Sequence, residues 1–141
     1  HDIGTFINNR SHHKHSQYLI ENSDIFGLSK QDLNIVALTA RYHRSALPRP
    51  THTAYTALTR ANRLRVSKLA AILRVADALD RGHAQHIRNP QFTLFPDRLQ
   101  IGVQNLSDCA VEEVALKEKS DLFEQVYGKR AVLVKSRPGK K

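Results

Sequence analysis

The sequence predicts a mainly α fold, a helical bundle followed by a small α/β (β-β-α-β) annex, from three observations. Apolar residues recur at helical spacing as far as Arg81. The period then changes to alternation in "QFTLF" and "RLQIGVQ", the mark of paired strands. Helical spacing returns from Ala110 to Tyr127, and "AVLV" supplies a last apolar run suited to a strand.

Ser11 stands before "HHKHSQYLIEN" as an N-cap, so a short helix is expected from His12 to about Glu21 with His12, Ser16 and Leu19 aligned on one side. Ser29 and Asp32 have the spacing of a capping box. Leu33, Val36, Ala37 and Ala40 then repeat along a helix expected to reach Arg44, with Pro48 and Pro50 ending it. Ala54 to Ala61 reads as helical despite its threonines. The strongest helix is Val66 to Arg81, with Val66, Leu69, Ile72, Leu73 and Ala76 as its apolar stripe and Gly82 as its stop. Pro96 and Asp97 supply the turn of the hairpin. A helix from Ala110 to Tyr127 is expected to face inward through Val111, Val114, Glu118, Leu122 and Val126, and to end at Gly128. The expected division is residues 1–86 for the helical domain, 87–134 for the annex and 135–141 for a basic tail of little functional meaning.

At 141 residues the chain can bury one core of ordinary size and carry a small module beside it. Hydrophobic content of 40% and charged content of 25% suit a soluble globular protein, and no run approaches the roughly 20 apolar residues needed to span a bilayer. The single cysteine, Cys109, cannot form an internal disulfide and reads as structural. With no leader-like segment, a reducing, cytoplasmic setting is expected. The net charge of +9 favours polyanionic partners: nucleic acid, polyphosphate or anionic lipid. Much of the excess is local. Arg41, Arg44, Arg49, Arg60, Arg63, Arg65, Lys68, Arg74 and Arg81 face only Asp77 and Asp80 in the same stretch, which makes them candidates for phosphate binding, an ordinary solvated face being the alternative.

His43 continues the inward stripe of its helix, and Asp77 follows Leu69 and Leu73 on theirs. A buried carboxylate must find a cation or a metal; Arg74 and Arg81 are placed for an ordinary ion pair. His1, Asp2, His12 or His13, His43 and Asp77 together form a mixed imidazole and carboxylate set suited to Mn, Fe or Zn, with Mg a further choice. Such a set can activate water and polarise a phosphoryl oxygen. No Gly-rich phosphate loop, GxSxG, HExxH or CxxC occurs, so the enzyme classes built on them have no support.

The order "HDIG", "HHKHSQYLI", "ARYHR" and "LAAILRVADALDR" resembles an HD-type domain, and with "DRLQIGVQ" and "KSDLFEQVYGKRAVLV" the chain resembles the C-terminal region of the Ppx/GppA family of exopolyphosphatases and guanosine pentaphosphatases. The resemblance implies an HD-like helical domain with a small α/β piece after it. It places the main hydrolytic chemistry in actin-like N-terminal domains absent from this chain, so the fragment alone is expected to be inactive on polyphosphate. It implies that this region helps to bind polyphosphate and to form a homodimer. His1 and Asp2 match the HD doublet, His12 or His13 the next histidine, His43 the later one and Asp77 the last aspartate; the histidine supplied by a preceding helix is not in this chain. A divalent cofactor, Mg or Mn, is implied for such a pocket.

Three functions follow as expectations. The first is the polyphosphate-binding and dimerisation portion of an exopolyphosphatase or guanosine pentaphosphatase. The second is a free-standing metal-dependent HD phosphohydrolase acting on nucleotides. The third is an RNA-binding or interaction module, with few aromatic platforms, since 6% of residues are aromatic.

Overall fold

In the computed structural model, which describes residues 1–83, 85, 87–104 and 108–136, the chain opens on a 3-10 turn, Ile3–Phe6. Four helices follow: α1 (His12–Glu21), α2 (Lys30–Arg41), the single turn α3 (Thr53–Thr56) and the long α4 (Arg60–Leu79). Strands β1 (Gln91–Leu94) and β2 (Arg98–Val103), helices α5 (Ala110–Lys119) and α6 (Asp121–Tyr127), and strand β3 (Arg130–Lys135) complete it. The protein is thus mainly α with a small β-β-α-β part at its end. Most of the basic tail, and His86 at the expected boundary, lie outside the described residues. Two compact units are formed, His1–Leu73 and Arg74–Lys141, and α4 runs across the division.

In the first unit α1 packs on α2 and on the 3-10 turn. The capping box at the start of α2 forms in full: the Asp32 N–H donates to Ser29 Oγ at 3.2 Å, and the Ser29 N–H donates to Asp32 Oδ2 at 3.0 Å. The Ser29 hydroxyl, which also donates to Asp32 Oδ2, and after it the Ser29 N–H hold the Asp32 carboxyl below its ordinary range. Ser29→Ala is expected to cost about 1 kcal/mol, read from the urea midpoint. Ser11 departs from the expected cap. It occupies the N-cap position of α1 with a left-handed backbone and no side-chain cap bond, so only its carbonyl, which accepts from the Lys14 and His15 N–H groups, serves the helix start. Helix α2 stops at Arg41 instead of Arg44, with Tyr42 as C-cap, and buries Leu33, Ile35, Ala37, Leu38 and Ala40 while Val36 stays exposed. Between Ala54 and Ala61 only the turn of α3 and the start of α4 are helical; Tyr42 Oη and His52 Nδ1, 2.8 Å apart with stacked rings, pin this segment.

The apolar stripe expected on α4 is not its buried face. Leu69 and Ile72 are 46% and 51% exposed, whereas Val66, Ala70, Ala71, Val75 and Ala78 are buried.

In the second unit β1 and β2 form an antiparallel hairpin, with Phe92 opposite Ile101, and β3 lies parallel to β2, with Ile101 opposite Leu133. Helices α5 and α6 pack on β3. The expected single helix is broken at Ser120, which ends α5 and begins α6, and Gly128 closes α6 in a left-handed conformation. Its inward face is Glu112, Ala115, Leu116, Leu122 and Phe123; Val111 and Val114 face outward. The break rests on α4. Arg74, 1% exposed, donates from Nε to the Lys119 carbonyl and from Nη2 to Asp121 Oδ1, at 3.0 and 2.8 Å, so one guanidinium holds both sides of it. Lys119 in turn donates to Asp77, both side chains being nearly buried.

Candidate metal centre and cationic surface

The HD doublet is positioned by a glycine and a serine. The Gly4 N–H donates to Ser16 Oγ at 2.9 Å, and the Ser16 hydroxyl donates to the His1 carbonyl at 2.6 Å, so the fully buried Ser16 ties the first turn to α1. A Cβ on Gly4 would sit 2.1 Å from the His12 carbonyl oxygen and 2.4 Å from Ser16 N. Only glycine permits that approach.

Residues from three separate segments then meet. Asp2 Oδ1 lies 3.5 Å from His12 Nε2 and 3.4 Å from His43 Nε2, and Asp2 Oδ2 lies 3.1 Å from His1 Nε2. The two Nε2 atoms of His12 and His43 are 3.1 Å apart. His12 Nδ1 is 3.1 Å from the Asn9 carbonyl and His43 Nδ1 contacts the Ala40 carbonyl, an arrangement that suits a proton on Nδ1 of each ring and sets Nε2 on the Asp2 side. The two Nε2 atoms stand at hydrogen-bonding distance, a contact that a proton on one ring or a cation beside both would satisfy. The carbonyl bonds are the support that metal-ligating histidines ordinarily have. His1, Asp2 and His43 each offer a ligand atom within 4.8 Å of the others. His43 is 2% exposed, as its place on the inward stripe predicts.

The remaining candidates are His13 and Asp77. His13 follows His12 around the helix, its ring 5.9 Å away, and its buried Nδ1 has no hydrogen-bond partner. Asp77 belongs to the second unit, where the Lys119 ammonium meets its carboxylate. Ser16 and Gly4 were not among the sequence candidates, although the alignment of Ser16 with His12 was a signal for the first.

No aspartate or glutamate lies between Asp32 and Asp77. Arg44, Arg49, Arg60, Arg65 and Lys68 are exposed, Arg41 donates to Gln17 Oε1 at 2.7 Å, and Arg63 is half-buried with Nε unpartnered. Arg81 is exposed in the second unit, and Arg74 is in its core. The cationic field is felt at His13, whose pKa is lowered by burial first and then by Arg44, His12, Arg41 and Lys14. A histidine lowered in the folded state leaves the unfolded chain holding more protons, so stability falls as pH drops below about 6.5. His13→Gln is expected to flatten that limb of a stability-against-pH profile measured by thermal melting.

Cys109 is buried and its thiol pKa is raised, by burial before the charges of Glu112 and Asp108, which suits a structural thiol. No described helix is long and apolar enough to cross a membrane.

Comparison with known proteins adds two findings. The family described as Ppx/GppA phosphatase, domain III, matches residues 1–125. The chain is also similar to the guanosine-5'-triphosphate,3'-diphosphate pyrophosphatase of Pseudoalteromonas translucida (strain TAC 125), 30% identical over 76 residues. That match takes in 54% of this chain and spans 14% of the relative's length.

Proposed function

The chain belongs to the Ppx/GppA phosphatase family, and from that premise we propose that it is the portion of an exopolyphosphatase or guanosine pentaphosphatase that grips the phosphate chain and forms the dimer. The observation that carries this reading is the carboxylate-free stretch between Asp32 and Asp77, whose exposed arginines suit phosphate oxygens through paired N–H donors. Arg44, Arg49, Arg60, Arg65 and Lys68 act as a cationic surface, and hydrolysis is supplied by domains outside this chain. Dimerisation is supported by the exposed Leu64, Leu69 and Ile72 on one side of α4; light scattering that finds a monomer at all concentrations would remove that part. Polyphosphate is expected to bind more tightly as its length grows, with affinity falling steeply as salt rises. Substituting Arg44, Arg60 and Arg65 together by Gln is expected to weaken binding and to shallow the salt slope. Chain-length-independent binding at low salt, measured by fluorescence anisotropy, would sink the reading.

A second reading, a metal-assisted phosphohydrolase, is favoured by the facing Nε2 atoms of His12 and His43 beside Asp2. His1, Asp2, His12 and His43 would hold the ion, and an imidazole-rich set with one carboxylate suits Zn, Mn or Fe better than Mg. When bound, the ion supplies an acidified water and a Lewis acid for a phosphoryl oxygen. The chain's own part is to hold both imidazoles in one tautomer through the Asn9 and Ala40 carbonyls, to aim Asp2, and to keep His43 away from water. Titration with Zn2+ or Mn2+, followed by calorimetry, is expected to reach one ion per chain. His43→Ala should weaken it at least roughly tenfold, the scale of loss when even a supporting group is removed. No uptake by the parent protein would end this reading and leave the first intact.

A further inference from the structure

The second unit carries an open sheet face that the phosphatase reading does not use. Alternation along the paired strands puts Gln91 and Thr93 of β1, Arg98, Gln100 and Gly102 of β2, and Arg130, Val132 and Val134 of β3 on one side. Phe92, Ile101 and Leu133 point to the other. Gln91, Thr93, Phe95, Gln100, Lys135 and Ser136 line a cleft of about 540 Å3 on the open side, with Gly102 and Val134 in its floor. A cleft of that volume is the size of one small ligand.

Three kinds of chemistry stand in the lining or next to it, Arg98 and Arg130 being neighbours of the lining residues on the same face. Phe95 presents a ring with the Arg98 guanidinium over it, Cζ 4.5 Å from the centroid, so a flat cationic surface lies at one end. Arg98 also donates to Asp97 at 3.1 Å, which holds the guanidinium in place on the ring. The amides of Gln91 and Gln100 stand on neighbouring strands, and each offers a donor beside an acceptor. Ser136 Oγ lies 3.4 Å from Gln91 Oε1 and orients that amide. Arg130 pairs opposite Arg98 in the register, and Lys135 stands at the far rim.

We infer that this face binds a purine nucleotide. The base stacks on the Phe95 and Arg98 platform, the Gln91 and Gln100 amides meet its polar edge, and its phosphates reach Lys135 at the far rim. An amide with paired donor and acceptor is the ordinary partner of a purine edge, aromatic and guanidinium planes are the ordinary platforms for a base, and Gly102 keeps the floor low enough for a flat ring. A base-free polyphosphate has nothing to place between the amides and the ring.

The test uses the whole chain, with GDP, ADP and tripolyphosphate as separate probes and amide chemical shifts as the readout. GDP or ADP is expected to move Gln91, Thr93, Gln100 and Ser136, and tripolyphosphate to leave them in place. Phe95→Ala should weaken nucleotide binding roughly tenfold. Gln100→Leu, which keeps the size and removes the amide, should weaken it with the hairpin signals unchanged, and this keeps the test valid if Phe95→Ala disturbs the hairpin. The triple substitution of Arg44, Arg60 and Arg65 should leave nucleotide binding intact, so failure of the polyphosphate reading is told apart from failure of this one. The inference is overturned if neither nucleotide moves these residues, if tripolyphosphate moves them equally, or if only an RNA oligonucleotide does.

Discussion

Gly4→Ala is expected to destabilise the protein by about 1–3 kcal/mol, the usual cost of forcing an extra methyl into packed surroundings, and to displace the HD doublet. The new Cβ would meet the His12 carbonyl oxygen and the backbone nitrogen of Ser16 at distances no real contact tolerates, and both belong to the rigid first turns of α1. The first turn must therefore lift. Lifting it breaks the Gly4 N–H bond to Ser16 and the Ser16 hydroxyl bond to His1, and these two bonds set where His1 and Asp2 lie. Urea unfolding measures the first effect. The second appears in the NMR signals of His12 and His43, which lose Asp2 as a neighbour. A variant that unfolds at the parent's urea midpoint with those signals unmoved contradicts the role assigned to Gly4.

Lys119→Met is expected to cost about 3–5 kcal/mol, because it removes an ammonium that meets the nearly buried Asp77 carboxylate. Methionine keeps most of the stem's packing, so the loss reports the charge and not a void. Asp77→Leu added to Lys119→Met should return much of the stability, since an apolar pair of similar volume avoids the desolvation that an ion pair suffers. Thermal melting of the two single variants and the double variant checks this as a double-mutant cycle. Equal and additive losses would show that the pair does not act as a unit.

The positions of the elements were largely legible in the sequence, and the faces they bury were less so. The capping box at Ser29 and Asp32, the strands in "QFTLF" and "RLQIGVQ", and the stop at Gly128 depend on local chemistry that a short window contains. On α4 and α5 the periodic large apolar residues Leu69, Ile72, Val111 and Val114 point outward, while the buried sides hold alanines together with Arg74 and Glu112. A charged residue enters a core only when distant partners meet it, as Lys119 and Asp121 meet Arg74 and as Gly82 donates to Glu112. Such partners are set by tertiary contacts that periodicity does not carry. The break at Ser120 was hidden for the same reason: its anchor is Arg74, far back in the chain.

Of the metal candidates, His1, Asp2, His12 and His43 lie close together: "HDIG" and "HHKHS" are near in sequence, and His43, just past the end of α2, is brought in by the packing of α1 on α2. The choice between His12 and His13 needed the structure. Both stand in the first turn of α1, and only the rotation of one residue about the helix axis separates the ring that meets Asp2 from the one that does not.

The parallel pairing of β2 with β3 also sets an order of events during synthesis. In the first unit, α1 meets a helix that follows it closely, so its contacts can form as soon as both have emerged. The sheet of the second unit cannot close until residues as late as Val134 are available to pair with Gly102. Until then Ile101 lacks its partner Leu133, and the chain carries a half-built sheet with apolar side chains open to solvent. Contacts of α1 with α2 can thus precede the sheet, whose apolar face stays open until β3 is available to pair.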